Sequence, residues 1–242
     1  DLGNAVRMEV RWIPEGTFQM GGQDPAAGVD ERPVHPVTLA RGFWMGTTEV
    51  TQRQYQQLTG KNPATFRGSG LDAPVESVSW RNAKEFCAAL QPRLPDGLRA
   101  KIVRLPTEAE WEYACRAGTQ TAYAGDLQAM GWHSGNSGGK THPAGEKAPN
   151  AWGLRDMHGN VSEMCEDGWF RYTRLEQTDP WVSRVSEDRR VLRGGSFRDS
   201  PRECRSASRT FFVSTQPGTG IGFRVVLADV PAADLHGDPV RP

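Results

Sequence analysis

The 242-residue sequence lacks a long apolar run and has no excess of charge of either sign. No stretch approaches the roughly 20 consecutive apolar residues that cross a bilayer as a helix, so no membrane span is predicted. The 29 basic residues match the 29 acidic ones in number. Because a chain without net charge has no long-range field to hold a phosphate backbone, nucleic acid is not an expected partner.

Cysteine is also scarce, and the spacing of the four residues fits no zinc-binding pattern. If all four were oxidised, three pairings would be possible. The sequence starts at Asp1 without a basic and apolar leader, which is expected of a mature chain whose signal peptide has been removed and equally of a trimmed sequence. A periplasmic or secreted location is therefore an expectation that the cysteine count alone does not establish.

Glycine and proline are abundant, since 27 and 17 residues give 44 in total, about 18% of the chain against roughly 12% on average. This composition predicts much irregular structure, in which eight tryptophans and nine phenylalanines supply apolar area. Short strands are predicted at residues 9–13, 17–20, 37–39 and 43–45, where brief apolar runs are separated by glycine and proline.

Three helices have clear starting signals. Thr51 opens the first with Thr-x-x-Gln and Thr107 opens the third with Thr-x-x-Glu, and each pattern is a capping box. Ser79 opens the second, in which apolar residues recur at i, i+3, i+4 and i+7. On these helices Cys87 and Cys115 are predicted to be small buried apolar side chains.

The rest of the chain is predicted to be mostly loop. Residues 119–149 form one long loop, and such a loop in a compact domain is usually functional or held by a bound group. Residues 171–190 are expected to be a surface excursion, followed by a strand at 191–197 that enters a glycine bend and a last strand at 220–226. Because there is no internal repeat or linker, residues 1–242 are interpreted as one α+β domain, whose tail at 229–242 is expected to fray.

Residues 150–166 combine two carboxylates with a turn signal. Asp156 and Glu163 lie seven residues apart, and Gly159 and Asn160 between them tolerate positive φ. A chain that doubles back here would bring carboxylate and main-chain oxygens together, which is the ligand set that calcium prefers. The alternative is an ordinary turn, capped by Asp156, with Glu163 in solvent, because the spacing is not that of the twelve-residue calcium loop.

Eight stretches, taken in order along nearly the whole chain, resemble the formylglycine-generating-enzyme (sulfatase-modifying-factor) family. They are P-E-G-T-F-Q-M-G-G, F-W-M-G-T-T-E-V-T-Q-R-Q-Y, P-V-E-S-V-S-W-R-N-A, R-L-P-T-E-A-E-W-E-Y-A-C-R-A-G, N-A-W-G-L-R-D-M-H-G-N-V-S-E, V-L-R-G-G-S-F, R-S-A-S-R and G-I-G-F-R-V. The resemblance implies a single compact domain of the C-type-lectin-like superfold, α+β in class, rich in irregular loops and fixed by structural calcium.

The resemblance also implies the calcium ligands. Asp156 and Glu163 match side-chain ligands of the family, and Gly159 and Val161 match ligands that bind through backbone carbonyls. A second calcium site is expected in the preceding loop, where Asn136 is the candidate.

The family's best-known activity, the oxidation of a sulfatase cysteine to formylglycine with O₂, uses a copper(I) ion held by two cysteines. The stretch after G-G-S contains only Cys204, so copper bound in that way is not expected. Ser196 and Arg209 match positions that line the family's cleft, and Arg209 is expected to orient an anionic or phenolic group. Ser162 and Met164 stand where many relatives carry tryptophan, which implies an altered cleft wall.

Cys165 and Cys204 follow two motifs that flank the same cleft. Together with Ser196 and Arg209 they are the candidate catalytic residues. The two thiols could form a disulfide, a reactive dithiol or part of a metal site, or they could be separate thiols.

Two functions follow from the resemblance. Within the family the chain is most similar to the periplasmic branch that acts late in synthesis of the siderophore pyoverdine, which implies oxidation of a dihydroquinoline-type precursor chromophore. The alternative is a non-catalytic, lectin-like module that binds a peptide or a partner protein in the same cleft. Formylglycine synthesis ranks below both because one of the two copper-binding cysteines is missing.

Overall fold

The structure of the chain is a computed structural model that describes residues 1–182 and 188–229. The predicted tail lies outside the described residues except for Asp229, whose carboxylate accepts a hydrogen bond from Lys101 Nζ at 2.7 Å. No helix in the described part of the chain has the length and apolar character needed to cross a membrane.

Eleven short strands in the described residues form three sheets. In chain order they are β1 (Val10–Ile13), β2 (Gly16–Met20), β3 (His35–Leu39), β4 (Phe43–Gly46), β5 (Ile102–Arg104), β6 (Ser162–Gly168), β7 (Gln177–Thr178), β8 (Arg189–Arg193), β9 (Arg209–Val213), β10 (Ile221–Gly222) and β11 (Val226–Ala228). The sheets have the strand orders β1-β4-β11-β5, β10-β6-β8-β9 and β2-β3-β7. Most pairs are antiparallel, and the exceptions are β10 with β6 and β3 with β7.

Four α-helices occur in the same residues, and the three longest confirm the sequence predictions. They are α1 (Gln52–Thr59), α2 (Trp80–Leu90), α3 (Glu108–Arg116) and the single turn α4 (Leu127–Met130). The side chains of Thr51, Ser79 and Thr107 each accept the predicted capping hydrogen bond. These caps satisfy N–H groups that have no partner within the helix, so each helix begins at the residue that the sequence predicts.

Two apolar clusters lie on either side of the sheet β10-β6-β8-β9. One packs α2 against the face that carries Met164, Leu192 and Phe212. The other packs α3 against the face that carries Cys165 and Val191. This arrangement places β6 between both clusters, with all seven of its residues buried.

Three predictions from the sequence were wrong in part. The predicted loop at residues 119–149 contains the helical turn α4. Residues 220–226 are not one strand, because β10 and β11 belong to different sheets and the chain crosses between them at residues 223–225. The excursion at 171–190 contains the short strand β7, which pairs with β3, and its residues 183–187 lie outside the described part. The single compact α+β domain, built from short and mostly antiparallel strands, is confirmed.

Candidate functional site

Glu163 is completely buried near the start of β6, and both of its carboxylate oxygens are occupied. Arg224 donates from Nη2 to Oε1 and from Nε to Oε2, each at 2.6 Å. Trp111 Nε1 donates to Oε2 at 2.8 Å. The interpretation in which Glu163 is a solvated turn residue is therefore wrong, because a buried arginine neutralises it.

Asp156 and Glu49 add two buried carboxylates beside this ion pair. Asp156 Oδ2 accepts from the backbone N–H of Gly145 at 2.6 Å, whereas Oδ1 is buried without a partner in the described chain. Burial raises the pKa of Asp156 to about 6, and burial together with the neighbouring Asp156 and Glu163 raises the pKa of Glu49 well above its ordinary value. When all three acids are ionised they outnumber the neighbouring Arg224 and Arg155, and a divalent cation would offset the remaining negative charge.

The turn between the two predicted acidic ligands has the expected conformation. Asp156, Gly159 and Asn160 have φ values of 58°, 116° and 62°. A Cβ atom at residue 159 would lie 2.0 Å from the carbonyl oxygen of Trp132, so only glycine fits. The backbone N–H of Asn160 donates to that same oxygen at 2.8 Å, which fixes the turn against the preceding loop.

The residues of this turn fit a calcium ion only in part. In residues 1–182 and 188–229, no three acidic, histidine or cysteine side chains are grouped closely enough to hold a metal. Calcium also accepts main-chain oxygens, for which the carbonyls of Gly159 and Val161 are the candidates. The free Oδ1 of Asp156 and the surplus negative charge favour a cation, but Glu163 would have to share its oxygens with Arg224. The calcium site stays a prediction.

Asn136, the candidate for a second site, closes a turn in the loop before residue 150. Its Oδ1 accepts from the backbone N–H of His133 at 2.8 Å, and its Nδ2 donates to the carbonyl of Gly131 at 2.9 Å. These contacts give Asn136 a structural role, and the second calcium site also stays a prediction.

Arg209 is held by a buried ion pair. Its Nε and Nη2 donate to the two carboxylate oxygens of Glu108 at 2.7 and 2.6 Å, and Nη1 donates to the carbonyl of Phe170 at 2.8 Å. The rings of Trp169 and Tyr172 lie 4.2 and 4.1 Å from the guanidinium carbon. Since only 1% of the side chain is exposed, Arg209 shapes the cleft wall and has no free edge to bind a substrate anion.

The ion pairs continue inward from Arg209. Arg193 Nε lies 3.1 Å from Glu108, Arg193 Nη2 pairs with Glu112, and Arg116 Nη2 lies 2.8 Å from Glu112. We call the alternating series Arg209–Glu108–Arg193–Glu112–Arg116 the charge ladder. Burial opposes ionisation of Glu112, but Arg193 and Arg116 outweigh it and lower the pKa of the carboxyl.

The chain bends sharply where β8 ends. Gly194 and Gly195 have φ values of 89° and 67°. A Cβ atom at residue 195 would lie 2.9 Å from both Cys204 Sγ and the carbonyl oxygen of Glu203. The glycines therefore allow the segment that carries Cys204 to pack directly against the bend.

A cavity of about 330 Å³ opens beside this bend. Ser196, the next residue, donates from both Oγ (2.7 Å) and its backbone N–H (2.8 Å) to Oδ2 of Asp199. Asp199 lines the cavity, and its Oδ1 has no hydrogen-bond partner within residues 1–182 and 188–229. The lining also includes Ser162, Leu192, Gly195, Arg202 and Arg209.

All four cysteines are buried free thiols. Cys165 lies in the apolar cluster around α3, whereas Cys204 lies against the glycine bend. Burial raises the pKa of Cys204 to about 12 and that of Cys165 well above its ordinary value. These thiols are protonated and form no disulfide, and the single Cys204 does not fit the two-thiolate copper site.

Three residues of this site were missed from the sequence. Glu49 and Arg224 stand inside F-W-M-G-T-T-E and G-I-G-F-R, which were noted only as family motifs, and Asp199 follows the glycine bend without any motif of its own. The signal for the first two was a charged residue inside an otherwise apolar run, which requires a buried partner.

Comparison with known proteins places the chain in a family. The model of the sulfatase-modifying factor enzyme 1-like domain matches residues 4–229. The chain belongs to the sulfatase-modifying factor family. A curated member, the formylglycine-generating enzyme of Bos taurus, is 31% identical over 90% of this chain and 74% of its own length.

Two solved structures extend the comparison. Treponema denticola variable protein 1 superposes with a TM-score of 0.84 at 29% identity, covering 93% of this chain and 96% of its own. PvdO from Pseudomonas aeruginosa superposes with a TM-score of 0.80 at 27% identity, covering 90% and 94%. The predicted fold of the sulfatase-modifying factor family is thereby confirmed.

Proposed function

We propose that this chain is a periplasmic maturation enzyme of siderophore synthesis that oxidises the dihydro precursor chromophore of pyoverdine to the mature chromophore. The observation that carries the proposal is the likeness to PvdO over nine-tenths of both chains. The polar cavity beside the glycine bend supports it, because a space of about 330 Å³ lies in the range of small-molecule sites.

The proposed oxidation removes two electrons and two protons from the ring. Molecular oxygen accepts the two electrons and the two protons and is thereby reduced to hydrogen peroxide, which is the second product. Asp199 is the candidate proton acceptor, since its Oδ1 is free while Ser196 holds Oδ2 in place. Arg202 can pair with a phenolic or anionic edge of the substrate, because its Nε donates to the carbonyl of Ala26 and its two Nη groups have no hydrogen-bond partner in the described chain.

Calcium enters the proposal as a structural ion. The surplus negative charge around Asp156 and Glu49 supports a cation at the turn. Bound there, the ion would hold β6 and the loop before it in register, and β6 carries Ser162 into the cavity. No step of the oxidation requires the ion.

The test is turnover. We expect the purified protein to convert the dihydro precursor under air, with the absorbance of the mature chromophore and peroxide appearing in equal amounts. Replacing Asp199 by Asn should lower kcat by about 100-fold or more, as is typical for the loss of a general base. The matched control is Asp96→Asn, since Asp96 is exposed and pairs only with Arg99 at the surface. Absence of turnover by the wild type would refute the enzyme proposal.

The second candidate is a non-catalytic module that holds a peptide or partner protein in the cleft. The observation that favours it is that Arg209, Cys165 and Cys204 are all buried or engaged. In that case the wild type would bind the precursor or a peptide without changing it. Formylglycine synthesis is third, and would require an acceptor peptide to gain an aldehyde.

A further inference from the structure

Ser162 gives the cavity a small polar floor. It lies at the start of β6, and its backbone N–H donates to the carbonyl of Gly220 at 2.8 Å. The residue is 7% exposed and lines the cavity, and its hydroxyl has no hydrogen-bond partner in the described chain. A hydroxyl without a protein partner at the base of a cavity can bind a polar atom of a ligand.

Among the described residues, Leu192 is the one apolar side chain in the cavity lining, which also includes the buried charged residues Glu31, Arg193 and Arg205. Leu192, 4% exposed, lines the same cavity from the adjacent strand β8. Because Met164 pairs with Leu192, Ser162 lies two residues along β6 on the same face of the sheet. The floor therefore presents one apolar and one short hydroxyl side chain beside arginines that are already paired with acids, and these two side chains can contact the face and the edge of a flat ring.

The rim of the cavity is polar and carries both signs of charge. Asp199 offers a free carboxylate oxygen and Arg202 offers free N–H groups. A flat ring with hydroxyl or N–H groups on its edge satisfies both, since the ring covers Leu192 and its edge meets the rim. A volume of about 330 Å³ lies in the range of small-molecule sites.

We infer that Ser162 is a specificity-determining residue, which gives the cleft room for a flat hydroxylated ring and hydrogen-bonds to the polar edge of that ring. The inference rests on the proposed function for its choice of ligand, but it concerns binding and not oxidation. It defines the substrate class as a small fused aromatic with oxygen or nitrogen on its edge.

The test measures binding of 6,7-dihydroxyquinoline by equilibrium dialysis to the full chain and to three variants. Ser162→Ala removes the hydroxyl and should weaken binding about tenfold, in line with one lost hydrogen bond. Ser162→Phe fills the floor and should weaken it more than about a hundredfold. The matched control Thr178→Val changes an exposed hydroxyl on β7, outside the cavity lining, and should stay within about twofold of the wild type.

Thermal unfolding identifies any variant that fails to fold. If Ser162→Phe does not fold, Ser162→Ala still tests the inference, because it only removes the hydroxyl oxygen. Equal binding by wild type and both Ser162 variants, or no binding by the wild type, would overturn the inference. If the wild type binds in the expected way but does not turn over the dihydro precursor, the oxidation proposal fails and the role of Ser162 stands. If the wild type oxidises the dihydro precursor but the Ser162 variants have the same KM as the wild type, the oxidation proposal stands and the role of Ser162 is refuted.

Discussion

Replacement of Asp156 by asparagine should raise the stability of the protein in chelator, and calcium should largely abolish that difference between variant and wild type. In chelator at pH 7, the ionised Asp156 is buried beside Glu163, and Arg224 and Arg155 offset this charge only in part. Its pKa is about 6, against an ordinary value of 3.8. At about 1.4 kcal/mol per pKa unit, keeping this carboxylate ionised costs the folded state roughly 3 kcal/mol.

The direction in which the free energy of unfolding changes with pH depends on which state, folded or unfolded, binds the proton of Asp156. Between pH 4 and 6 the folded state retains a proton on Asp156 that the unfolded state has lost, so the free energy of unfolding falls as pH rises through this window. In chelator we therefore expect Asp156→Asn to be up to roughly 3 kcal/mol more stable than the wild type at pH 7, and about equal to it below pH 4. With calcium at about 100 times its Kd, the wild type should gain about 2.7 kcal/mol, and the variant should gain little.

The assay is urea unfolding followed by tryptophan fluorescence, at pH 4 and pH 7, with EDTA or with calcium. The matched control is Asp96→Asn, which changes an exposed carboxylate paired with Arg99 at the surface and should shift neither curve. If Asp156→Asn destabilises the protein equally in EDTA and in calcium, the carboxylate is not a cation ligand and the reasoning is refuted. An unfolding curve of the wild type that is unchanged by calcium would refute it as well.

Further predictions concern the turn, the charge ladder and the thiols. Gly159→Ala should lower Tm strongly or prevent soluble expression, because its Cβ would lie 2.0 Å from the carbonyl oxygen of Trp132; an unchanged Tm would contradict the turn geometry. Arg209→Lys should lower the free energy of unfolding in urea by about 3 kcal/mol, because lysine cannot make the paired contacts that neutralise buried Glu108. A loss of activity at unchanged stability would instead indicate that Arg209 contacts the substrate. The four buried thiols should not react with Ellman's reagent in the native protein and should all react in denaturant; rapid reaction of one thiol in the native state would show an accessible cysteine.

The helices could be predicted from the sequence because their signals are local. A capping box needs only residues three apart, and Thr51 and Thr107 begin helices as that pattern indicates. Strand β6 could not be found in this way. Its residues carry several acidic groups, and they form a buried strand only because partners such as Arg224 arrive from distant parts of the chain.

In the candidate site, too, the features with local sequence signals could be predicted and those that depend on distant residues could not. The turn at Gly159 was predictable, since positive φ is a property of the residue type. The neutralisation of Glu163 by Arg224 was not, because 61 residues separate the two. The resemblance predicted Arg209 at the cleft, but the sequence did not reveal that Glu108 occupies its guanidinium.

The charge ladder has a consequence for how the sequence can vary. Five side chains that are each at most 7% exposed hold one another in place through opposite charges, so the loss of one member leaves its neighbour charged and dehydrated. Mutational drift must therefore replace these residues together or not at all, while the loops around the cavity are free to diversify one residue at a time. A protein built in this way can acquire new ligands through substitutions at the cavity rim while its buried ion pairs stay unchanged.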